Sequence, residues 1–226
     1  MSIFVLGLDL GQAQDYTALV IVEVEGTKYK DSAGQPYEAL PFVHLAVRHI
    51  ERFTLGTKYL DIAWQVEQRL RHTPAPRYVA CDSTGVGGAV VEMLARIRPA
   101  EITITSGNQV QYGERPQQFR VPKRDLVAGL SVGLQNGVLK IAKGLPNAEL
   151  LTAELLNFRA KITESGQDTY AAWREADHDD IVLGLAIAVW YAELVFRGIM
   201  QQVAEAEEQR RLSEMLERSR VSISRF

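Results

Sequence analysis

The apolar pattern of this chain changes character once, near residue 59, and that change constrains the fold more than any other feature. Before it, residues 3–10, 17–25 and 42–53 are β-rich, and no helical periodicity separates them. The intervening segment 28–41 carries Gly34 and Pro36 and reads as a hairpin loop. Three strands in direct succession predict an antiparallel meander. After residue 59, helices and strands alternate. Residues 59–71 place Ile62, Ala63, Val66 and Leu70 at helical spacing, and Pro74 and Pro76 end that run. Residues 78–81 form a short buried strand closing on Asp82. Gly85, Gly87 and Gly88 make a turn, residues 89–97 are helical, and residues 102–105 are a β-branched strand. Strands that follow helices join a meander in parallel. The expected fold is therefore α/β, with a mixed central sheet of antiparallel meander plus parallel strands, flanked by helices.

Further along, residues 122–142 read as a helix with Leu126, Leu130 and Leu134 spaced by four, broken near Gly137. Residues 147–162 read as another helix, and 167–173 alternate loosely, as an edge strand would. Residues 179–196 are apolar on nearly every side, the mark of a buried helix. After Gly198 the composition turns to Glu, Gln and Arg, with Val203, Leu212, Met215 and Leu216 as sparse apolar points. This divides the chain into a domain at 1–197 and a charged helical tail at 198–226. In the tail, Arg210, Arg211, Arg218, Arg220 and Arg225 are balanced by Glu205, Glu207, Glu208, Glu214 and Glu217, which favours a surface or partner-binding helix over a grip on DNA. Trp64, Trp173 and Trp190 are expected in the core.

Composition excludes several classes. The 226 residues are 46% hydrophobic and 23% charged, enough to build an ordinary core. A net charge of −3 argues against a purely electrostatic DNA binder, so any nucleic-acid site must be local. With Cys81 as the single cysteine, neither an internal disulfide nor a multi-cysteine zinc site can form, and a reducing, cytoplasmic setting is expected. The apolar N-terminus has no basic segment and meets Asp9 at once, unlike a signal peptide. The apolar run 181–192 is too short to span a membrane.

Aspartates stand where aspartates are disfavoured. Asp9 lies inside an apolar strand, Asp82 ends another, and Asp179 and Asp180 open the most apolar helix of the chain. No Lys or Arg lies within a few residues of Asp9. Each has a plain alternative: Asp9 as a turn former before Gly11, Asp82 as an Asx-turn, Asp179 or Asp180 as a helix cap. A shared cation accounts for all of them together. Mg²⁺ or Mn²⁺ takes oxygen ligands, and two such ions about 3.5–4 Å apart activate water and stabilise the leaving oxygen in phosphodiester hydrolysis. Consecutive helical residues point about 100° apart, so one of Asp179 and Asp180 would ligate directly with the other behind it.

The segments Gly7-Leu8-Asp9-Leu10-Gly11 and Asp15-Tyr16-Thr17-Ala18-Leu19 resemble the first two strands of the nuclease domain of phage terminase large subunits. Asp82-Ser83-Thr84-Gly85-Val86-Gly87 resembles that family's second acidic motif, and Val121-Pro122-Lys123-Arg124-Asp125-Leu126-Val127 its middle helix. His178-Asp179-Asp180-Ile181-Val182-Leu183-Gly184-Leu185-Ala186 resembles its closing motif. The motifs occur in family order across residues 3–193. The resemblance implies a ribonuclease H-like fold and a metal-dependent endonuclease that cuts viral DNA during packaging, with Asp9, Asp82 and one or both of Asp179 and Asp180 as catalytic metal ligands. It implies double-stranded DNA as partner, with a separate ATPase motor or portal protein, and the host cytoplasm as the setting. The chain has no G-x-x-x-x-G-K-[ST] motif, so it is expected to be an excised domain or a free-standing relative of the motor-bearing proteins.

Arg120, Lys123 and Arg124 cluster at a helix start and are candidates for phosphate contact; a solvated helix start is the equal alternative. Lys161 and Arg174 flank the expected edge strand and are further candidates, while His178 reads as structural. Other functions remain open. An actin- or sugar-kinase-type ATPase shares the first glycine motif but needs two domains. A Holliday-junction resolvase shares the fold and metal chemistry. A non-catalytic assembly protein would keep the fold without cutting.

Overall fold

The computed structural model describes residues 2–11, 15–27, 42–85, 87–165 and 179–223. Its first three strands, β1 (Ser2–Asp9), β2 (Ala18–Thr27) and β3 (Phe42–Arg52), pair antiparallel in sequence, as the early periodicity requires. Next come α1 (Tyr59–His72), β4 (Arg77–Asp82), α2 (Gly87–Met93), a 3-10 turn at Ala95–Ile97, and β5 (Ala100–Thr105). β4 adds in parallel to β1, and β5 in parallel to β4. The order β3-β2-β1-β4-β5, with the first three antiparallel and the next two parallel to β1, is the ribonuclease H-like arrangement.

Three short strands extend the sheet to eight strands among the described residues. β6 (Gln111–Tyr112) and β7 (Gln118–Pro122) lie outside β5, and β8 (Leu139–Ile141) pairs in parallel with β3. None is visible as a periodic window. The expected helix 122–142 does break near Gly137: α3 spans Lys123–Gln135, Gly137 takes φ +64 and turns the backbone out of the helix, and the stretch beyond it is the strand β8 instead of more helix. The two last helices are α4 (Ala148–Ser165) and α5 (Asp180–Ile223). α5 passes through Gly198 unbroken, so the change in composition there is not a helix boundary. The chain divides into two compact units, Met1–Ala192 and Glu193–Phe226. The expected loop at 28–41 and edge strand at 167–173 lie outside the described residues.

Strand alternation sorts the side chains into two layers. Leu6, Leu8, Leu19, Ile21, Val79 and Cys81 face one way and pack with Ile62, Ala63 and Val66 of α1 and Val90, Val91 and Leu94. The opposite face of β1 meets α5. A Cβ on Gly7 would lie 2.1 Å from the carbonyl oxygen of Gly184 and 2.8 Å from Cβ of Ala188, so the strand and helix backbones touch only because residue 7 is glycine. By length and composition α5 is apolar enough over Asp180–Ser213 to cross a membrane, which the run 181–192 alone does not suggest. However, 67% of that apolar window is buried, as in the core helix of a folded domain. Trp64 departs from expectation: it sits on α1 at 63% exposure, on the side turned away from Ile62 and Val66. Trp190 is half-buried against Phe119, 5.4 Å between ring centroids, and Trp173 lies outside the described residues.

Candidate active site

β1, β4, β5 and β7 run in the same direction, so their carboxyl ends share one edge of the sheet. Ligand sites of open α/β sheets gather at such edges. Asp9 is the last residue of β1 and Asp82 the last of β4. The register Leu8↔Cys81 makes them neighbours on adjacent strands, with strands about 4.8 Å apart. Pairing Asp82↔Ile102, Asp9↔Ala18 and Ala18↔Arg52 continues the row across the sheet and places Asp82, Asp9 and Arg52 on one face. It is the face that α5 covers. Gly184 approaches the carbonyls of Gly7 and Ala18, and Asp180 stands one helical turn earlier, toward the Asp9 end of β1. The contact that confirms this placement is Arg52 Nη2 donating to Asp180 Oδ2 at 3.1 Å. Asp9, Asp82 and Asp180 are all buried, at 7%, 6% and 6% exposure. Asp179 is half-buried, and its carbonyl accepts the Leu183 amide as a helix cap residue does.

Local structure fixes each carboxylate. Asp82 Oδ1 accepts the Thr84 amide at 2.7 Å, so the Asx-turn alternative is realised. The same loop is tied to β5: Ser83 Oγ lies 3.0 Å from Thr103 Oγ1, and the Ile104 amide donates to Thr84 Oγ1 at 3.0 Å. After Asp9 the chain turns tightly. A Cβ on Gly11 would stand 2.3 Å from the Asp15 carbonyl oxygen, the Gly11 amide donates to Thr17 Oγ1, and the Tyr59 hydroxyl donates to the Gly11 carbonyl. Cys81, one residue before Asp82, is fully buried; desolvation, then the charges of Asp82 and Glu101, push its thiol well above the ordinary range, so it is no nucleophile.

Two members of this cluster escape sequence reasoning. Arg52 supplies the positive charge that no neighbour of Asp9 in the sequence supplies, and its guanidinium lies over the Tyr16 ring, 3.7 Å from the centroid. Glu154 of α4 is 6% exposed, and its Oε2 accepts the Ile181 and Val182 amides at 3.1 and 3.2 Å, at the first turn of α5. Burial raises its pKa to about 7; Asp180 pushes the same way, while the two amides and Arg52 pull it down. A signal was available for Glu154: it stands three residues after Leu151, on the buried side of its helix.

Among the described residues, Arg120, Lys123 and Arg124 have different surroundings. Lys123 is 9% exposed at the first position of α3, just past the carboxyl end of β7. Arg124 spends its guanidinium on the carbonyl and Oδ1 of Asn108 and on Asp125. Arg120 is exposed and, by alternation from Phe119, faces away from α5. Lys161 lies on α4, with its side chain outside the described residues, as are Arg174 and His178.

An all-oxygen set of buried carboxylates on one row has the chemistry of a site for a hard divalent cation. Among the described residues, no three His, Cys, Asp or Glu side chains stand together as a metal-holding group. Asp180 is drawn toward Arg52 and Asp82 toward the Thr84 amide.

Comparison with known proteins points the same way as the motifs. The chain is 25% identical over 186 residues to the terminase large subunit of Thermus phage G20c, and 25% identical over 186 residues to that of Thermus virus P23-45. The chain is similar to phage terminase large subunits. The alignments cover 82% of this chain and 31% of each relative, so it spans about a third of the length of the terminase subunits it matches. Among solved structures, the large terminase nuclease of thermophilic phage G20c superposes with a TM-score of 0.48 at 20% identity, over 83% of this chain and 81% of that one. The same nuclease with bound zinc gives 0.49 at 22%, over 83% and 80%. No family model matches the chain.

Proposed function

We propose that this protein is a divalent-metal-dependent endonuclease that hydrolyses DNA phosphodiester bonds, acting as the nuclease part of a viral genome-packaging system in the host cytoplasm. One observation carries the reading: Asp9 and Asp82 end adjacent parallel strands, and the Gly7–Gly184 contact seats Asp180 over the same row. The all-oxygen character of these buried acids suits a hard divalent cation. Asp9, Asp82 and Asp180 would hold Mg²⁺ or Mn²⁺, with Asp179 behind them; bound as a pair, the ions would activate the attacking water and stabilise the leaving oxygen. The chain's own residues do the rest. The sheet row fixes the spacing of the acids, the Thr84 amide orients Asp82, and Glu154 anchors the first turn of α5. Lys123, at the same edge, would meet a DNA phosphate; Arg120, Arg124, Lys161 and Arg174 would position the duplex more remotely. A DNA-translocating ATPase or a portal protein is the expected assembly partner.

The test is incubation of supercoiled plasmid with the full chain in Mg²⁺, in Mn²⁺ and in EDTA, beside Asp9→Asn. Nicked and linear products that need metal and vanish in Asp9→Asn are expected. Plasmid left intact by folded wild-type protein in both metals contradicts the reading. A strong preference for four-way junctions over linear duplex would move it to a resolvase.

A further inference from the structure

Two buried side-chain atoms lack hydrogen-bond partners among the described residues: Nε of Arg52 and Oε1 of Glu154. One is a donor and the other an acceptor, and both residues are otherwise engaged at the first turn of α5. Arg52 Nη2 holds Asp180 Oδ2, and Glu154 Oε2 holds the amides of Ile181 and Val182. Buried polar groups left unsatisfied in this way are uncommon and call for a role. Among the described residues, Asp9, Asp82, Asp180, Glu154 and Lys123 are the buried charged groups of this region.

We propose that Arg52 is a resident counter-cation for Asp180 which competes with the divalent ion, and that Glu154 Oε1 is the acceptor to which its guanidinium passes when Asp180 takes up metal. The inference rests on the reading of Asp180 as a metal ligand and adds what holds that ligand beforehand. A guanidinium suits the task. It keeps its charge at every relevant pH, offers several donors in one plane, and can turn within that plane while stacked on an aromatic face. Tyr16 supplies the face, at 3.7 Å. Arg52 is thus a positioning residue, acting through Asp180 on the affinity of the site for metal.

The experiment titrates MnCl₂ into the metal-free full chain by calorimetry and records melting curves in EDTA and in saturating Mn²⁺, for wild type, Arg52→Gln, Glu154→Gln and the double variant. Removing a competing positive charge from a buried site strengthens cation binding, so Arg52→Gln is expected to bind Mn²⁺ about tenfold tighter. It should melt below wild type in EDTA, with the gap closing in Mn²⁺. Glu154→Gln removes the charged acceptor, leaves Arg52 on Asp180, and should bind Mn²⁺ several-fold more weakly. The double variant should behave like Arg52→Gln, because without the guanidinium the acceptor has nothing to receive. Unchanged or weaker Mn²⁺ binding by Arg52→Gln overturns the proposal, as does a lower melting temperature with no gain in affinity, the behaviour of an ordinary structural ion pair. Should Arg52→Gln not fold, Glu154→Gln decides alone, and unchanged Mn²⁺ binding there is the overturning result. Wild type that binds no Mn²⁺ removes the metal reading and this inference together; wild type that binds normally beside insensitive variants removes this inference only.

Discussion

Glu51 and Glu154 stand on opposite sides of the same sheet system and are treated in opposite ways. Glu51, near the end of β3, faces α1. His49 Nε2 lies 3.0 Å from its Oε2, and Arg69 reaches across from α1 with two donors at 2.7 and 3.1 Å. The His49 contact first, and Arg69 after it, lower its pKa to about 2 against the opposing effect of burial. Glu154, on α4 and against the first turn of α5, has amide partners on one oxygen and none on the other among the described residues, and burial takes its pKa to about 7. On the α1 side, His49 and Arg69 stabilise the charge of Glu51. The α5 layer gathers Asp9, Asp82, Asp180 and Glu154 where desolvation works against every charge. Carboxylates concentrated against that penalty are the pattern of a functional site, which a bound cation would repay.

The largest expected effect probes how closely the α5 layer is built. Gly7→Ala places a Cβ 2.1 Å from the Gly184 oxygen and 2.7 Å from the Ala188 nitrogen, both backbone atoms that cannot swing aside. A loss of about 3 kcal/mol in urea unfolding, or failure to fold, is expected. On the α1 layer, Ile62→Val should cost only about 1 kcal/mol. Equal stabilities for the two variants would break the contrast between the layers.

The pH dependence of the two glutamates should differ in sign. Glu154 has a raised folded pKa, so the folded state holds its proton more tightly, and stability falls as pH rises from about 4.5 toward 7. Glu154→Gln stays neutral, so relative to wild type it should gain about 1–2 kcal/mol between pH 5 and pH 8. Glu51 has a depressed folded pKa; its contribution is complete above about 4.5 and is lost as pH falls toward 2. Glu51→Gln should cost about 0.5–1 kcal/mol at neutral pH and converge on wild type in acid. Guanidine or urea titrations at several pH values check both, and slopes of the same sign would contradict the comparison.

The smallest effect is expected beyond both layers. A chain ending at Arg197 should keep its stability and plasmid cleavage while changing its association in light scattering, since residues 198–226 are proposed as a partner-binding tail. Loss of folding or cutting would move the boundary.

Much of this arrangement is legible in the sequence because periodicity reports local burial. The meander, α1, β4 and the aspartate positions follow from runs long enough to show a period of two or of 3.6. β6 and β8 are too short for that, and β8 hides behind the Leu126, Leu130 and Leu134 spacing until Gly137 breaks the helix. Trp64 misleads because a large aromatic side chain reads as core while its helix turns it outward. Arg52 is invisible for a different reason: its partnership with Asp180 spans 128 positions and depends on strand register, which a single sequence does not display.

We propose that Asp9 and Asp82 are held at the sheet edge for a bound cation and not for the fold. The melting temperature of metal-free Asp9→Asn against wild type tests it most directly. Removing one of several crowded charges should leave that temperature unchanged or raise it. A marked fall in the absence of metal would show Asp9 to be a structural residue and would contradict the claim.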